Sequence, residues 1–232
     1  MPQIALRMSQ PTPCGTIRGM SVLDDGGPHL VLLRHGDTAW ALAGRHTGRT
    51  DVPLTPDGEE QARAAGRRLA GLSPAVVLVS PLARARRTAE LAGFGSATVD
   101  DDLAEWDYGP VEGRTSAEVA EATGHPYEIF RDGVRVLPPA PGGTPGETLA
   151  DVRARAESVL GRVRPVLADG GTVLVVAHGH LLRVLATAWL AVDPTFGAHL
   201  ELGCAAISVL GTSHDLPTVE LWNLAEHRTA AR

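Results

Sequence analysis

Leu30-Val31-Leu32-Leu33-Arg34-His35-Gly36 is a short apolar run that stops abruptly at a cation, an imidazole and a glycine. A second run, Thr172-Val173-Leu174-Val175-Val176-Ala177, stops the same way at His178-Gly179-His180. Short apolar runs bounded by breakers read as strands buried on both faces. In open α/β sheets the chemistry gathers at the carboxyl ends of the strands. Two such strands therefore deliver paired imidazoles to one edge, with Arg34 beside them. That combination suits a doubly charged oxyanion, most simply a phosphoryl group.

The chain outward from these strands alternates strand and helix. A polar loop, Asp37 to Asp51, carries Gly44, Arg45, Gly48 and Arg49. Thr55-Pro56 then reads as an N-cap followed by proline at the first helical position. Ala62, Ala65, Leu69 and Leu72 continue at helical spacing, and Pro74 ends the helix. Ala75 to Val79 is a further buried strand, and Ser80-Pro81 is expected to cap a helix running to about Leu91. Thr115 and Glu118 stand in capping-box register, with Gly124 as a stop. Arg135 to Gly146 is rich in proline and glycine and reads as a loop over the site. Leu149, Val152, Ala156, Val159, Leu160, Val163 and Leu167 mark a long amphipathic helix, with Glu147 expected to cap it. A helix from about His180 to Ala191 follows, then strands at Ala205–Leu210 and Thr218–Leu224. The expected fold is a three-layer α/β/α sandwich on a mostly parallel, doubly wound sheet. No helix separates the last two strands, which allows one of them to run antiparallel.

The 232 residues suit one domain with an ample core, and 44% hydrophobic with 21% charged residues is an ordinary globular balance. Residues 1–28 stand apart, with Pro2, Pro11, Pro13, Gly15, Gly19, Gly26, Gly27 and Pro28 and no sustained period. They read as a poorly ordered extension ahead of a single domain at 29–232, without the apolar core of a signal peptide. A net charge of −6 with dispersed arginines argues against a nucleic-acid partner. Cys14 and Cys204 are too few for a disulfide framework and read as free thiols of a reducing compartment, so a cytoplasmic location is expected. No apolar stretch approaches the roughly 20 residues of a membrane span.

Spacing alone leaves some assignments open. Arg84 shares its segment with Arg86 and Arg87, and Glu105 competes with Asp101, Asp102, Asp107 and Glu112. His178-x-His180 lacks the additional ligands a metal site needs, so neither metal nor cofactor is expected. His46 is a candidate for the pocket wall. Trp189 and Trp222 read as core.

Five blocks, taken together and in order, resemble the histidine phosphatase superfamily, the phosphoglycerate-mutase-like proteins. They are Arg34-His35-Gly36-Asp37-Thr38-Ala39-Trp40, the loop Arg45 to Thr55, Ser80 to Ala89 with Arg84, Leu103 to Gly113 with Glu105, and Val176 to Arg183. The resemblance implies that His35 is the nucleophile and forms a phosphohistidine, and that Glu105 protonates the leaving oxygen and then takes a proton from water. It selects Arg84 as the second arginine. Forked donors of Arg34 and Arg84 match phosphate oxygens in a way lysine does not. His178 is expected to donate a further hydrogen bond. Gly179 lies at a helix start, where free N–H groups favour an anion, and Thr47 and Gly48 belong to the phosphate loop.

Phosphatase is favoured over mutase by His180 after Gly179, by Ala41 after Trp40 and by the short segment between Gly113 and Glu147. The closest branch resembles acid phosphatases and sugar bisphosphatases. The implied substrate is a small phosphorylated metabolite, with inorganic phosphate as product. Arg131 is the candidate for a second phosphate or carboxylate on that substrate. Exposed sheet edges allow a homodimer. A phosphoglycerate mutase is the alternative reading, and a catalytically inactive module that binds phosphorylated ligands is a more remote one.

Overall fold

The computed structural model describes residues 27–225. The expected extension therefore lies outside the described residues, apart from Gly27 and Pro28. The elements run β1 (Leu30–Arg34), α1 (Ala39–Leu42), α2 (Pro56–Arg68), β2 (Val76–Val79), α3 (Ala83–Leu91), β3 (Thr98–Val99), α4 (Ser116–Thr123) and α5 (Ile129–Asp132). They continue with α6 (Leu149–Ala168), β4 (Val173–Ala177), α7 (Gly179–Trp189), β5 (Ile207–Ser213) and β6 (Leu216–Leu224).

The strands form one sheet in the order β3-β2-β4-β1-β5-β6. β1, β2, β3 and β4 pair in parallel, while β5 pairs antiparallel with both β1 and β6. β5 alone is reversed, as the missing helix allowed. Its turn to β6 passes through His214 and Asp215, both with positive φ (52° and 63°), the backbone of a tight hairpin. β5 begins at Ile207 rather than Ala205, and both strands run further into the turn than expected because this His-Asp turn carries none of the usual Asn-Gly signal.

β1 and β4 lie side by side at the centre, so the two histidine-bearing strand ends are neighbours. Alternate residues of each strand face opposite ways. Leu30, Leu32, Val173 and Val175 pack towards α6 and α7. Val31, Leu33, Leu174 and Val176 pack towards α2 and α3. Burial on both faces explains why the strands read as continuous apolar runs, each full leucine burial contributing about 1.5–3 kcal/mol.

Local signals placed most helix starts. Thr55 caps α2 on the Gly58 amide, and Thr115 and Glu118 form a capping box on α4. Two expectations are corrected. α3 begins at Ala83 with Leu82 at the cap and no cap from its own turn; the Asp51 carboxylate instead accepts from the Ala83 amide at 2.9 Å. Ser80 Oγ accepts from the Leu82 amide at 3.3 Å, ahead of the first helical residue, and meets His178 Nε2 at 2.6 Å. α6 is capped by Thr148 in a capping box with Asp151, which leaves Glu147 for other contacts. Among the described residues, no helix is long and apolar enough to cross a membrane.

Candidate active site

His35 leaves β1 with its backbone locked between strands: its amide donates to Ala177 and its carbonyl accepts from Ala205, both at 3.0 Å. Gly36 follows because the chain passes hard against α2. A Cβ at Gly36 would lie 2.2 Å from the Gly58 carbonyl oxygen. The His35 ring donates from Nδ1–H to the Gly36 carbonyl at 2.7 Å. A carbonyl can only accept, so the proton sits on Nδ1 and the lone pair on Nε2. Burial, then the charges of Arg34 and Arg84, hold this imidazole well below its ordinary pKa. It is therefore neutral at physiological pH.

Arg34 donates from Nη1 to the Leu202 carbonyl, and its Nε is buried with no partner among the described residues. Its guanidinium lies against the start of α7, where a Cβ at Gly179 would meet Cζ at 3.3 Å. Glycine there admits the close approach.

Arg84 is fully buried. Its Nη1 donates to the Thr50 carbonyl at 3.0 Å and its Nη2 to Thr47 and Gly48 at 3.0 and 2.8 Å. The guanidinium thus ties α3 to the loop after β1. Burial works against its charge and lowers its pKa, but arginine stays protonated. Arg86 is exposed and Arg87 pairs with Glu59 and Glu90 on the surface, so Arg84 is the arginine of this segment that turns inward.

Arg84 Nε also donates to His178 Nδ1 at 3.2 Å. An accepting Nδ1 places the proton of the neutral ring on Nε2, which donates to Ser80 Oγ at 2.6 Å. Burial and then Arg84 push the His178 pKa well down. The hydrogen bond expected from His178 to a substrate is directed at Ser80 instead. The His35 and His178 rings are 5.2 Å apart.

Glu105 is almost fully buried below the N-terminus of α7. Its Oε1 accepts from the Trp106 and Leu181 amides, both at 2.9 Å, and its Oε2 from the His180 amide at 3.1 Å. Unpaired amides at a helix start attract an anion. Trp106 and Tyr108 lie in the core beside it, and the Tyr108 hydroxyl meets His180 Nδ1.

Arg34, His35, Thr47, Glu105 and Gly179 line one cavity of about 330 Å³. Arg84 and His178 stand behind it and do not line it, and neither does Gly48, whose carbonyl accepts from Arg84 and whose amide donates to Glu112. Arg131 is not brought there either. Its guanidinium pairs with Asp132 at 2.7 Å and donates to the Pro126 carbonyl at 2.6 Å on an exposed surface. Arg183 takes the place at the cavity wall instead. Its Nε donates to the Gly197 carbonyl at 2.7 Å and its guanidinium lies 4.5 Å above the Phe130 ring. The sequence carried a usable signal for it, since His180 and Arg183 are three apart on one helix face. His46 does line the cavity, and burial pushes its imidazole down to about 4. Trp189 is buried core, whereas Trp222 is only partly buried and donates to the Glu201 carbonyl.

Paired neutral imidazoles, two arginines and a carboxylate at the carboxyl edge of a doubly wound sheet define an enzyme of phosphoryl chemistry. The chain belongs to the histidine phosphatase superfamily, branch 1, whose family model matches residues 30–225. It is an enzyme of that superfamily, a histidine phosphatase. It is 36% identical over 200 residues to an acid phosphatase of Mycobacterium tuberculosis, covering 85% of this chain and 93% of that protein. It is 32% identical to a sedoheptulose 1,7-bisphosphatase of Saccharomyces cerevisiae, over 87% of this chain and 80% of that one. A 2,3-bisphosphoglycerate-dependent phosphoglycerate mutase of Mesorhizobium japonicum is 36% identical over 75% of this chain and 87% of its own. The solved structure of an open reading frame from Mycobacterium tuberculosis superposes with a TM-score of 0.76 at 35% identity, covering 86% of this chain and 99% of that one.

Proposed function

We propose that the protein hydrolyses a small phosphorylated metabolite, a sugar phosphate or similar, through a phosphohistidine on His35. The observation that carries this reading is the Nδ1–H bond of His35 to Gly36, which leaves a neutral Nε2 as nucleophile. Nε2 attacks phosphorus while the bond to the leaving oxygen breaks. Arg34, whose Nε has no partner among the described residues and is a ready donor, and the buried charge of Arg84 offset the charge on the equatorial oxygens. Glu105 gives its proton to the leaving oxygen. Its Oε2 accepts only one N–H and retains a lone pair to carry that proton. Water then attacks the phosphohistidine, Glu105 takes a proton from it, and inorganic phosphate leaves with His35 restored. Every charge in this scheme comes from the chain's own side chains, so no cofactor is invoked.

His180 and Ala41 at the cavity wall support phosphatase over mutase chemistry. The deciding experiment measures phosphate release from para-nitrophenyl phosphate and a sugar-phosphate panel, with chelator present and His35→Ala alongside. Chelator-resistant release that disappears in the variant supports the reading. Conversion of 3-phosphoglycerate to its 2-isomer without phosphate release makes the protein a mutase instead, and phosphate binding with neither activity makes it a binding module.

A further inference from the structure

Glu147 and Arg155 form a two-pronged pair, Nε to Oε1 at 2.7 Å and Nη2 to Oε2 at 2.8 Å. Both side chains are largely shielded, 19% and 15% exposed. Neither lines the cavity. Their remaining contacts converge on the segment that carries Glu105. Arg155 Nη1 donates to the carbonyls of Asp102 and Ala104 at 2.6 and 2.8 Å, just before Glu105. Glu147 grips the chain just after it. Its Oε2 accepts from the Asp107 amide at 2.9 Å, its own amide donates to the Asp107 carbonyl at 2.9 Å, and its carbonyl accepts from Trp106 Nε1 at 2.8 Å.

We propose that the Glu147–Arg155 pair is a positioning device that holds the Glu105 carboxylate in place for proton transfer. The inference rests on the reading of Glu105 as general acid. Exposed ion pairs contribute little, but a forked arginine–carboxylate pair embedded in a backbone network is geometrically specific. Arg155 projects from α6, a helix of 20 residues whose start is set by the Thr148–Asp151 capping box. The segment is thereby referenced to a rigid element on both sides of Glu105. Arg49 Nη2 lies 3.7 Å from Glu147 Oε2, which links the same pair to the loop bearing Thr47. A shift of about 1 Å in a reacting group can cost about 100-fold in rate.

The test compares leaving groups. Para-nitrophenoxide departs readily without a proton, whereas phenol and alcohols need one from the acid. Wild type, Glu105→Gln, Glu147→Gln, Arg155→Lys and Arg155→Met are compared by kcat/KM, which reads phosphoryl transfer to His35 and not the later attack of water, on para-nitrophenyl phosphate, phenyl phosphate and glycerol 3-phosphate, with melting temperature in parallel. Glu105→Gln is expected to lose roughly 100-fold or more on the two poor leaving groups and far less on the good one. Arg155→Met and Glu147→Gln should lose about 10- to 100-fold with the same selectivity, and Arg155→Lys less. If Arg155→Met fails to fold, Glu147→Gln and Arg155→Lys carry the comparison. A selective Glu105→Gln beside equal losses, or no losses, in the pair variants overturns the positioning role alone. A Glu105→Gln that shows no leaving-group selectivity removes the general-acid reading and this inference with it.

Discussion

Arg84 Nε donates to His178 Nδ1 at 3.2 Å, both side chains fully buried. The arginine fixes which nitrogen of His178 carries the proton, and His178 in turn holds the guanidinium fork in plane. Replacing Arg84 by lysine keeps a charge but offers one ammonium to a fork-shaped set of acceptors. The carbonyls of Thr47, Gly48 and Thr50 would then be incompletely paired. Arg84→Lys is expected to lower kcat by about 100-fold and stability by about 2 kcal/mol. Steady-state kinetics and urea unfolding check both, and a variant equal to wild type in either would contradict the assignment.

The imidazoles of buried His35, His46 and His178 and of partly buried His180 are all held below their ordinary pKa, chiefly by desolvation. As pH falls below about 6.5 the unfolded chain binds protons at these positions and the folded chain does not. Their contribution to stability is therefore complete above that pH and is lost as pH falls towards the folded values. For His46, from 6.5 to about 4, the loss between pH 7 and pH 5 is about 2 kcal/mol. Urea titrations at the two pH values measure it, and His46→Gln should flatten the dependence.

The same depression keeps His35, the proposed nucleophile, neutral into the lower edge of an ordinary histidine's titration range. kcat/KM on para-nitrophenyl phosphate is expected to hold as pH falls through about 6.5, where an ordinary histidine becomes protonated. An acid limb centred near 6.5 in the pH–rate profile would falsify this.

Arg183 faces the cavity whereas Arg131 is tied to Asp132 on the surface. Arg183→Ala is expected to raise KM about tenfold for substrates bearing a second phosphate or carboxylate, with little change for para-nitrophenyl phosphate. Arg131→Ala should leave both within about twofold. The reverse pattern in a KM comparison would return the role to Arg131.

Gly36 sits where a Cβ would meet the Gly58 carbonyl oxygen at 2.2 Å. Both atoms belong to backbone, so Gly36→Ala must push β1's end away from α2. Overpacking of this kind costs about 3 kcal/mol and displaces the neighbouring His35. Thermal unfolding together with kcat reports both consequences, and a stable, active variant would show that the contact yields.

The sequence by itself determined those features whose causes are local. Apolar runs ended by Arg34-His35-Gly36 and His178-Gly179 marked the buried strands and their chemical ends. Thr55 with Pro56 and Thr115 with Glu118 marked helix starts, because a cap is satisfied within one turn. The order of the five blocks carried the family and with it the expected catalytic set. Tertiary structure decided what depends on the chain returning to itself. Asp51 caps α3 from 32 residues away in place of Ser80. Glu147 turns from the α6 cap to Arg155 and the Glu105 segment. Arg183, not Arg131, reaches the cavity, though both are arginines on short stretches of helix. Periodicity states which side of an element is buried; it cannot state which distant group will be waiting there. That partner is chosen by packing, when a buried charge or carbonyl must find its hydrogen bond within the folded chain.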